Sequence, residues 1–413
     1  MLITKVKMTM MSATHNNNYG NMDIATSFSA FHASEYAVSD AIRKLKSKIA
    51  NPKLILVYFS ENYDDQLIQQ ALTAEFPSSQ ILGCSSCQGV MTDEGYNRGE
   101  GIALWAMCDY TGAFGSAIVS TNQSPYGMAR QALLRAIENS GRPGELPALI
   151  LLHSSPGREE EVIKGIEDEL GISVPIIGGS AADDHVQGNW RLFTHEQRCQ
   201  EGVGLCVLYP SCNISYSFHS GYASSGISAI ATRTEGRELV ELNHKPAIET
   251  YQEWIGQLLS DENSIISKSS LNPLGRIAGK VHDLPYFKLS HPLKVTPRGG
   301  IELFATVEEG EELFFMEGTE ERLITRAGRV IDSAFDIGSA SRELDPIGGI
   351  TIYCAGCMLR VQERMEEVAH YVNKAMHHTP FVCPFTFGEQ GQFVGGENAH
   401  GNLMISAVLF HRD

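Results

Sequence analysis

An apolar segment is repeated at a fixed distance in the first half of the sequence. Residues 55–60 and 150–155 lie 95 positions apart, and so do residues 81–83 and 176–178. One offset without gaps therefore aligns two strand-like segments and the helix-like segment between them, which indicates a duplicated unit. Each copy continues into a further apolar strand that begins with glycine.

A third and looser copy lies near the end of the sequence. It has strand-like segments at 350–354, 385–388 and 401–405, with a helix at about 360–376 between the first two. Between the second and third copies, short β-rich segments indicate antiparallel hairpins. Together these patterns predict an α/β protein with mixed β-sheets, helices on the sheet faces, internally duplicated strand-helix-strand units, and two tightly joined halves.

The length of 413 residues exceeds what one hydrophobic core usually serves. A polar, glycine-bearing stretch at about 221–226 is a plausible seam, and helical spacing begins at about residue 27. We predict three segments: a disordered lead-in at 1–26, an N-terminal domain at 27–221 with repeats at about 54–121 and 148–221, and a C-terminal domain at 222–413.

Charge and composition restrict the partners. A formal net charge of −17 argues against nucleic acid and anionic membranes, because both repel an acidic chain at long range. No apolar run reaches the roughly 18 residues of a membrane helix, and the first 23 residues lack a secretory pattern. Nine cysteines, an odd number scattered through apolar strands, fit a reducing compartment. We therefore expect a cytoplasmic protein.

Several short segments resemble a known family. The second repeat contains residues 177–181 followed by Asp183-Asp184, which are similar to the N-terminal half of FIST sensory proteins. Four further segments resemble the C-terminal half of these proteins: Pro273-Leu274-Gly275, Ser290-His291-Pro292, Gly310-Glu311-Glu312-Leu313 and Phe387-Gly388-Glu389. Each segment is short, but their order and spacing together are specific.

Within the FIST family, residues 386–391 and 395–404 are most similar to the NosP-type nitric-oxide-sensing haemoproteins. This resemblance implies a haem-binding sensor of a small gaseous ligand that regulates a separate histidine kinase in a two-component system. FIST as a fold also implies a sensor of small polar, amino-acid-like ligands without haem. Both readings stay open from the sequence.

The segment between Gly388 and Gly401 is the candidate ligand site. Its glycines permit close approach of the backbone to a ligand, and its acidic, amide and imidazole side chains offer donors and acceptors. With the glycine turn of the second repeat, the predicted ligand-binding residues are Gly388, Glu389, Glu397, Asn398, His400, Asn402, Gly178, Gly179 and Ser180. Glu389 follows a predicted buried strand, where a carboxylate needs a partner or a ligand. The alternative is a long hairpin whose polar side chains satisfy turn backbone.

A haem needs an axial nitrogen or sulfur donor in an otherwise apolar slot. Of the fourteen histidines, His400, His185 and His153 follow or end predicted strands, and His400 is our first axial candidate. The alternative for each is a surface or hydrogen-bonded histidine.

Two CxxC pairs, Cys84 with Cys87 and Cys354 with Cys357, lie at predicted strand ends. If the pairs meet, four thiolates suit zinc or an iron–sulfur cluster, and the chain is then a metal-stabilised scaffold. Inert thiols in tight turns, or a redox-active pair, are the alternatives. We do not expect an enzyme, because the adjacent His153, Ser154 and Ser155 point to alternate faces of a strand.

Overall fold

A computed structural model describes residues 22–259, 262–281, 283–338 and 345–412. It confirms the α/β class with mixed sheets and helices on their faces. The predicted lead-in at 1–26 is too long, because a paired strand already begins at Asp23, and the rest of that segment up to residue 21 lies outside the described residues. The helical pattern read from residue 27 is likewise wrong at its start, since the helix begins at Ser34.

Three units with the same order of elements account for most of the chain. The first contains β1 (Asp23–Ser29), α1 (Ser34–Lys48), β2 (Leu54–Phe59), α2 (Asp65–Glu75), β3 (Gln80–Ser85), β4 (Gly89–Thr92), β5 (Gly95–Arg98) and β6 (Ile102–Cys108). The second contains β7 (Ala113–Val119), α3 (Pro125–Asn139), β8 (Leu149–Ser154), α4 (Glu159–Leu170), β9 (Ile176–Gly179), β10 (Leu192–Thr194), β11 (Arg198–Cys199) and β12 (Val203–Tyr209).

The third unit begins with β13 (Asn213–Ser220) and is then interrupted by an antiparallel sheet. The interruption contains β14 (Ala223–Glu235), β15 (Glu238–Leu242), β16 (Lys245–Pro246), α5 (Ala247–Ile255), α6 (Glu262–Ser269), β17 (Leu274–Val281), β18 (Leu284–Ser290), β19 (Pro292–Val295), β20 (Ile301–Leu303) and β21 (Glu312–Glu317). The unit continues with α7 (Glu320–Gly338), β22 (Asp345–Cys354), α8 (Ala355–Arg360), a 3-10 turn (Gln362–Arg364), α9 (Met365–Ala375), β23 (Phe381–Thr386), β24 (Glu389–Gln392), β25 (Asn398–Gly401) and β26 (Met404–Arg412).

Each unit forms a sheet with the same strand order: β1-β6-β2-β3, β7-β12-β8-β9 and β13-β26-β22-β23. In each sheet the first two pairings are antiparallel and the last is parallel. Helices α2, α4 and α8–α9 supply the crossovers that parallel neighbours require. The third sheet uses β13, which precedes the predicted seam, and β26, which ends the chain, so both predicted halves contribute to it.

Each sheet is completed by a hairpin from a different unit. Hairpin β10–β11 pairs with β3, hairpin β24–β25 with β9, and hairpin β4–β5 with β23, which closes a cycle. Backbone hydrogen bonds connect the same pairs of units near the ends of β3, β9 and β23. The donors and acceptors are Ala182 N to Ser85 O (3.1 Å), Phe387 N to Ser180 O (3.0 Å) and Cys87 N to Phe385 O (3.0 Å).

Helix α7 covers the third sheet by packing on β13 and β26. Its buried face is apolar at residues 323, 324, 327, 330, 331 and 334, which is the spacing of an amphipathic helix. Arg326 is buried within the same face. Within the described ranges, no helix combines the length and the apolar character needed to cross a membrane.

Candidate functional site

The predicted polar loop is the hairpin β24–β25, and the polar side chains on its two strands are buried. Glu389 and Gln390 are fully buried and pair with Gly179 and Gly178 of β9. Gly388 precedes the hairpin with a φ of +80°, and a Cβ at that position would lie 2.4 Å from Cε1 of His400. Glycine is therefore required there for both the backbone conformation and the close approach of the imidazole.

Glu389 is a buried carboxyl group that forms no ion pair among the described residues, although the charge of Arg326 acts on it from a distance. Its Oε2 accepts a hydrogen bond from Met404 N (3.1 Å), and its Oε1 accepts one from the Thr386 hydroxyl (3.2 Å). Burial raises the pKa of Glu389 well above its usual value. The neutral acid is favoured, because a desolvated carboxylate needs stronger compensation than two hydrogen bonds supply.

A cavity of about 90 Å³ lies beside these groups, and we call it the corner cavity. Its wall is mostly apolar, and it is formed by Val186, Ile266, His291, Phe304, Cys354, Gly356, Leu359, Thr386, Phe387, Gly388 and Asn402. Thr386 contacts both the cavity and Glu389. The cavity is smaller than the apolar cavity of about 150 Å³ that admits benzene, so only a very small molecule fits.

His291 also lines the corner cavity, and in the sequence it stood out only as part of the FIST-like segment Ser290-His291-Pro292. Its backbone N–H donates to Oδ1 of Asn402 (3.1 Å), and its ring Nε2 is 3.2 Å from the carbonyl oxygen of Ile266. Burial lowers the pKa of His291 to about 4. The ring is therefore neutral at neutral pH, like the Glu389 carboxyl group.

A cluster of charged side chains lies close to Nε2 of His400. Glu159 accepts hydrogen bonds from the Ser180 hydroxyl (2.8 Å) and from Nη2 of Arg237 (2.7 Å), and its Oε2 is 3.9 Å from Nε2 of His400. Burial raises the pKa of Glu159, but its interactions with His400 and Arg237 outweigh burial, and the net shift is downward. Ser180 thus binds a protein carboxylate. Nδ1 of His400 has no hydrogen-bond partner within the described part of the chain.

The remaining predicted ligand residues hold the hairpin in place. Asn398 accepts a hydrogen bond from Ile176 N (3.0 Å) and donates one to Val174 O (2.9 Å), so it ties β25 to the second sheet. Glu397 is exposed at the hairpin turn, with its Oε1 3.6 Å from Nζ of Lys288. A Cβ at Gly178 would lie 1.9 Å from the Leu152 carbonyl oxygen. These positions serve close packing and the turn, not the cavity.

The histidines do not fit a haem in this arrangement. Both ring nitrogens of the buried His153 are engaged, Nε2 with the Tyr58 hydroxyl (3.0 Å) and Nδ1 with the Gly179 carbonyl oxygen (2.7 Å). His185 is exposed in a loop whose backbone is bound by Asp183. His400 does not line the corner cavity, whose volume is well below the roughly 300 Å³ of pockets for drug-sized ligands.

The four cysteines of the two CxxC pairs do not form one metal site. Cys84 packs in one hydrophobic cluster, whereas Cys87, Cys354 and Cys357 pack in another. Across the described ranges, no three His, Cys, Asp or Glu side chains are placed to share a metal ion. The zinc or iron–sulfur alternative therefore has no ligand set in this part of the chain.

Arg326 is the buried charge that sequence reasoning missed. Its Nη2 donates to the Leu403 carbonyl oxygen (2.7 Å), and its guanidinium carbon lies 5.5 and 5.9 Å from the ring centroids of Tyr222 and Tyr353. A usable signal was present, because Arg326 falls between the apolar residues of α7 that define its buried face.

Comparison with known proteins identifies the family. The FIST N domain matches residues 53–245, and the FIST C domain matches residues 247–392. An uncharacterized protein of Methanocaldococcus jannaschii, MJ1623, is 24% identical over 280 residues, which are 65% of this chain and 52% of that protein. The chain thus spans about half the length of this curated relative.

Solved structures show only weak likeness. Cyanuric acid hydrolase from A. caulinodans has a TM-score of 0.36 at 9% identity, covering 94% of this chain and 99% of that chain. A second cyanuric acid hydrolase structure has a TM-score of 0.30 at 8% identity, covering 64% and 85%. Likeness at this level carries no conclusion about activity. The two matched domains cover most of the sequence, and the chain therefore belongs to the FIST family, whose domains indicate a signalling protein that senses small ligands.

Proposed function

We propose that the corner cavity is the sensing site and that it binds a very small, mostly apolar ligand. The observation that carries this proposal is the burial of the Glu389 carboxyl group against Thr386, a residue of the cavity wall. The Thr386 hydroxyl lines the cavity and donates to the neutral Glu389, so it can accept one directional hydrogen bond from a ligand without contributing a fixed charge. Such a site selects its ligand mainly by size and shape, and in addition by one polar contact.

The site also has a direct connection to the sheet. Asn402 lines the cavity, and the next two residues lead into β26, the strand between β13 and β22. Leu403 has a φ of +53°, in the left-handed region that side chains other than glycine rarely adopt. A ligand that favours one arrangement of Asn402 over another therefore shifts the conformation of β26, provided that it binds the two states with different free energy.

A change in cavity volume tests the proposal. Leu359→Trp enlarges a partly exposed wall residue, and Leu134→Trp makes the same change on α3, outside the cavity. Xenon is the probe, because it enters small apolar cavities. We expect xenon to shift the backbone amide NMR signals of Gly388 and Asn402 in the wild type and in Leu134→Trp, with much smaller shifts in Leu359→Trp. Equal shifts in all three proteins would refute the corner cavity as a binding site.

Haem-based sensing of nitric oxide, with a partner histidine kinase, stays a prediction from the resemblance. The unpartnered Nδ1 of His400 within the described residues supports it, whereas the volume of the corner cavity opposes it. The test is the absorption spectrum of the protein supplied with haem, measured with and without nitric oxide. One haem per chain in the wild type and none in His400→Ala would establish the haem hypothesis, and no stoichiometric binding would leave the proposal above.

A further inference from the structure

A second cavity, which shares no lining residue with the corner cavity, lies between α7 and the end of β13. Its volume is about 410 Å³, and its wall includes Arg322, Arg326 and Arg329 of α7 together with His219 and Tyr222. We call it the arginine cavity. Its volume lies within the range of about 300 to 1,000 Å³ that is typical of sites for small molecules.

Helix geometry places the three arginines on one face. Residues four and seven positions apart on a helix lie above one another, so Arg322, Arg326 and Arg329 line the same side of α7. The chain approaches this side closely at Gly221, where a Cβ would lie 2.3 Å from Cδ of Arg326. The absence of a side chain at Gly221 therefore permits the contact that buries Arg326.

The arginine cavity lacks negative charge, although the protein as a whole is strongly acidic. The chain has 49 acidic and 32 basic residues, yet no acidic residue of the described ranges lines this cavity. The acidic residues that precede it on α7 are engaged elsewhere, Glu320 with Arg360 and Glu321 with Arg364. Local positive charge in an acidic protein attracts anions selectively to this place.

The guanidinium groups themselves lack partners for most of their donors. In the described structure, the Arg322 and Arg329 side chains form no hydrogen bond or ion pair, and Nε and Nη1 of the buried Arg326 have no hydrogen-bond partner. Arginine cannot shed its proton when it is buried, so its charge remains. The Tyr222 and Tyr353 rings compensate this charge only in part.

We propose that the arginine cavity binds a small oxyanion, namely the carboxylate or phosphate group of a small molecule. Guanidinium groups bind both anions through paired, charge-assisted hydrogen bonds, and three of them can surround one anionic group. An anion in this cavity supplies the partner that the Arg322 and Arg329 side chains lack among the described residues. This proposal does not depend on ligand binding in the corner cavity.

The test measures binding of inorganic phosphate and, separately, of succinate by isothermal titration calorimetry, with chloride used to match ionic strength. The variant Arg322→Gln/Arg329→Gln removes the two exposed arginines and leaves the buried Arg326 in place. The control is Arg135→Gln, which removes an exposed arginine of α3. We expect saturable binding of at least one anion by the wild type, and an affinity at least about tenfold lower in the double variant.

Arg135→Gln should bind the anion as the wild type does, because it changes the net charge without changing the cavity. Circular dichroism confirms that each variant is folded. The proposal is overturned if neither anion gives saturable binding to the wild type, or if the double variant and the Arg135→Gln control lose affinity equally. Preference for phosphate over succinate, or the reverse, supports the proposal and assigns the class of anion.

Discussion

The corner cavity and the arginine cavity are built around two buried ionisable groups that share one peptide. The Leu403 carbonyl oxygen accepts a hydrogen bond from Arg326, and the Met404 N–H of the same peptide donates one to Glu389. Glu389 can lose its charge by binding a proton, whereas Arg326 cannot. Burial therefore gives the first cavity neutral polar groups and the second a permanent positive charge, and this difference separates the kinds of ligand that each can hold.

The largest effect is expected from removal of the permanent charge. Arg326→Ala deletes a fully buried large side chain and leaves the Leu403 carbonyl oxygen without its donor, so the free energy of unfolding falls by about 3 kcal/mol or more. Arg326→Met restores apolar volume without charge and recovers most of this loss. Urea unfolding measures both. Equal losses in the two variants would mean that Arg326 contributes through its charge and its hydrogen bond to Leu403, and not through packing.

The neutral histidine of the corner cavity predicts a loss of stability in acid. The pKa of His291 is about 4 in the folded state and near 6.5 when unfolded, so the unfolded chain binds more protons in that interval. Stability is thus complete above pH 6.5 and falls by up to about 3 kcal/mol as the pH approaches 4. His291→Gln, which does not titrate, should make this part of the profile shallower, and a slope remains because burial also lowers the pKa of His153 to about 4. Superimposable profiles of variant and wild type contradict a neutral, buried His291.

Glu389 predicts the opposite dependence on pH. Its folded pKa is raised, so its contribution to stability is complete below pH 4.5 and is lost as the pH rises. Glu389→Gln resembles the neutral acid, and its stability relative to the wild type should increase from pH 4.5 upward. Glu389→Ala leaves the donors of Met404 and Thr386 unpaired and costs about 1–3 kcal/mol. If the free energy of unfolding of Glu389→Gln instead decreases relative to the wild type as the pH rises, Glu389 is ionised in the folded protein.

The smallest effect is expected at the edge of the arginine cavity. Arg322→Gln and Arg329→Gln should each change the free energy of unfolding by less than about 0.5 kcal/mol, because both side chains are exposed and form no contact within the described residues that the fold needs. Thermal and urea unfolding are sufficient measurements. A loss above 1 kcal/mol in either variant would indicate that these arginines stabilise α7.

Much of the fold was readable from the sequence because its signals are local. The offset of 95 residues aligned the first two units, and it also pairs Tyr58 with His153, which occupy equivalent strand positions and hydrogen-bond to each other. The third copy is present in the predicted order. Its helix, predicted at about 360–376, corresponds to α9, and the strands predicted at 385–388 and 401–405 begin at Phe381 and Met404. Runs such as β2, buried at every position, have the apolar composition typical of strands covered on both faces.

The pairing of each hairpin with a sheet of another unit could not be predicted from the sequence. Strands β4, β10 and β24 have three or four residues each, and each pairs with a strand of another unit. Such short segments, which contain glycine or are polar, have no hydrophobic pattern from which a distant partner strand could be predicted. The polarity of residues 388–401 predicted a ligand site, but it could not show which side chains face a cavity and which bind the protein itself. Glu389 is buried beside the corner cavity, whereas Asn398 binds protein backbone.

The closed cycle of hairpins has a consequence for how this chain can be divided. A cut between the two matched segments, after residue 245, would leave β4–β5 without β23, β13 without β26, and β9 without β24. The exposed edges would template pairing with other molecules, since unpaired strand edges recruit further strands. The two FIST segments therefore form one folding unit. Either segment expressed alone, or fused to another protein, should aggregate instead of folding into a functional domain.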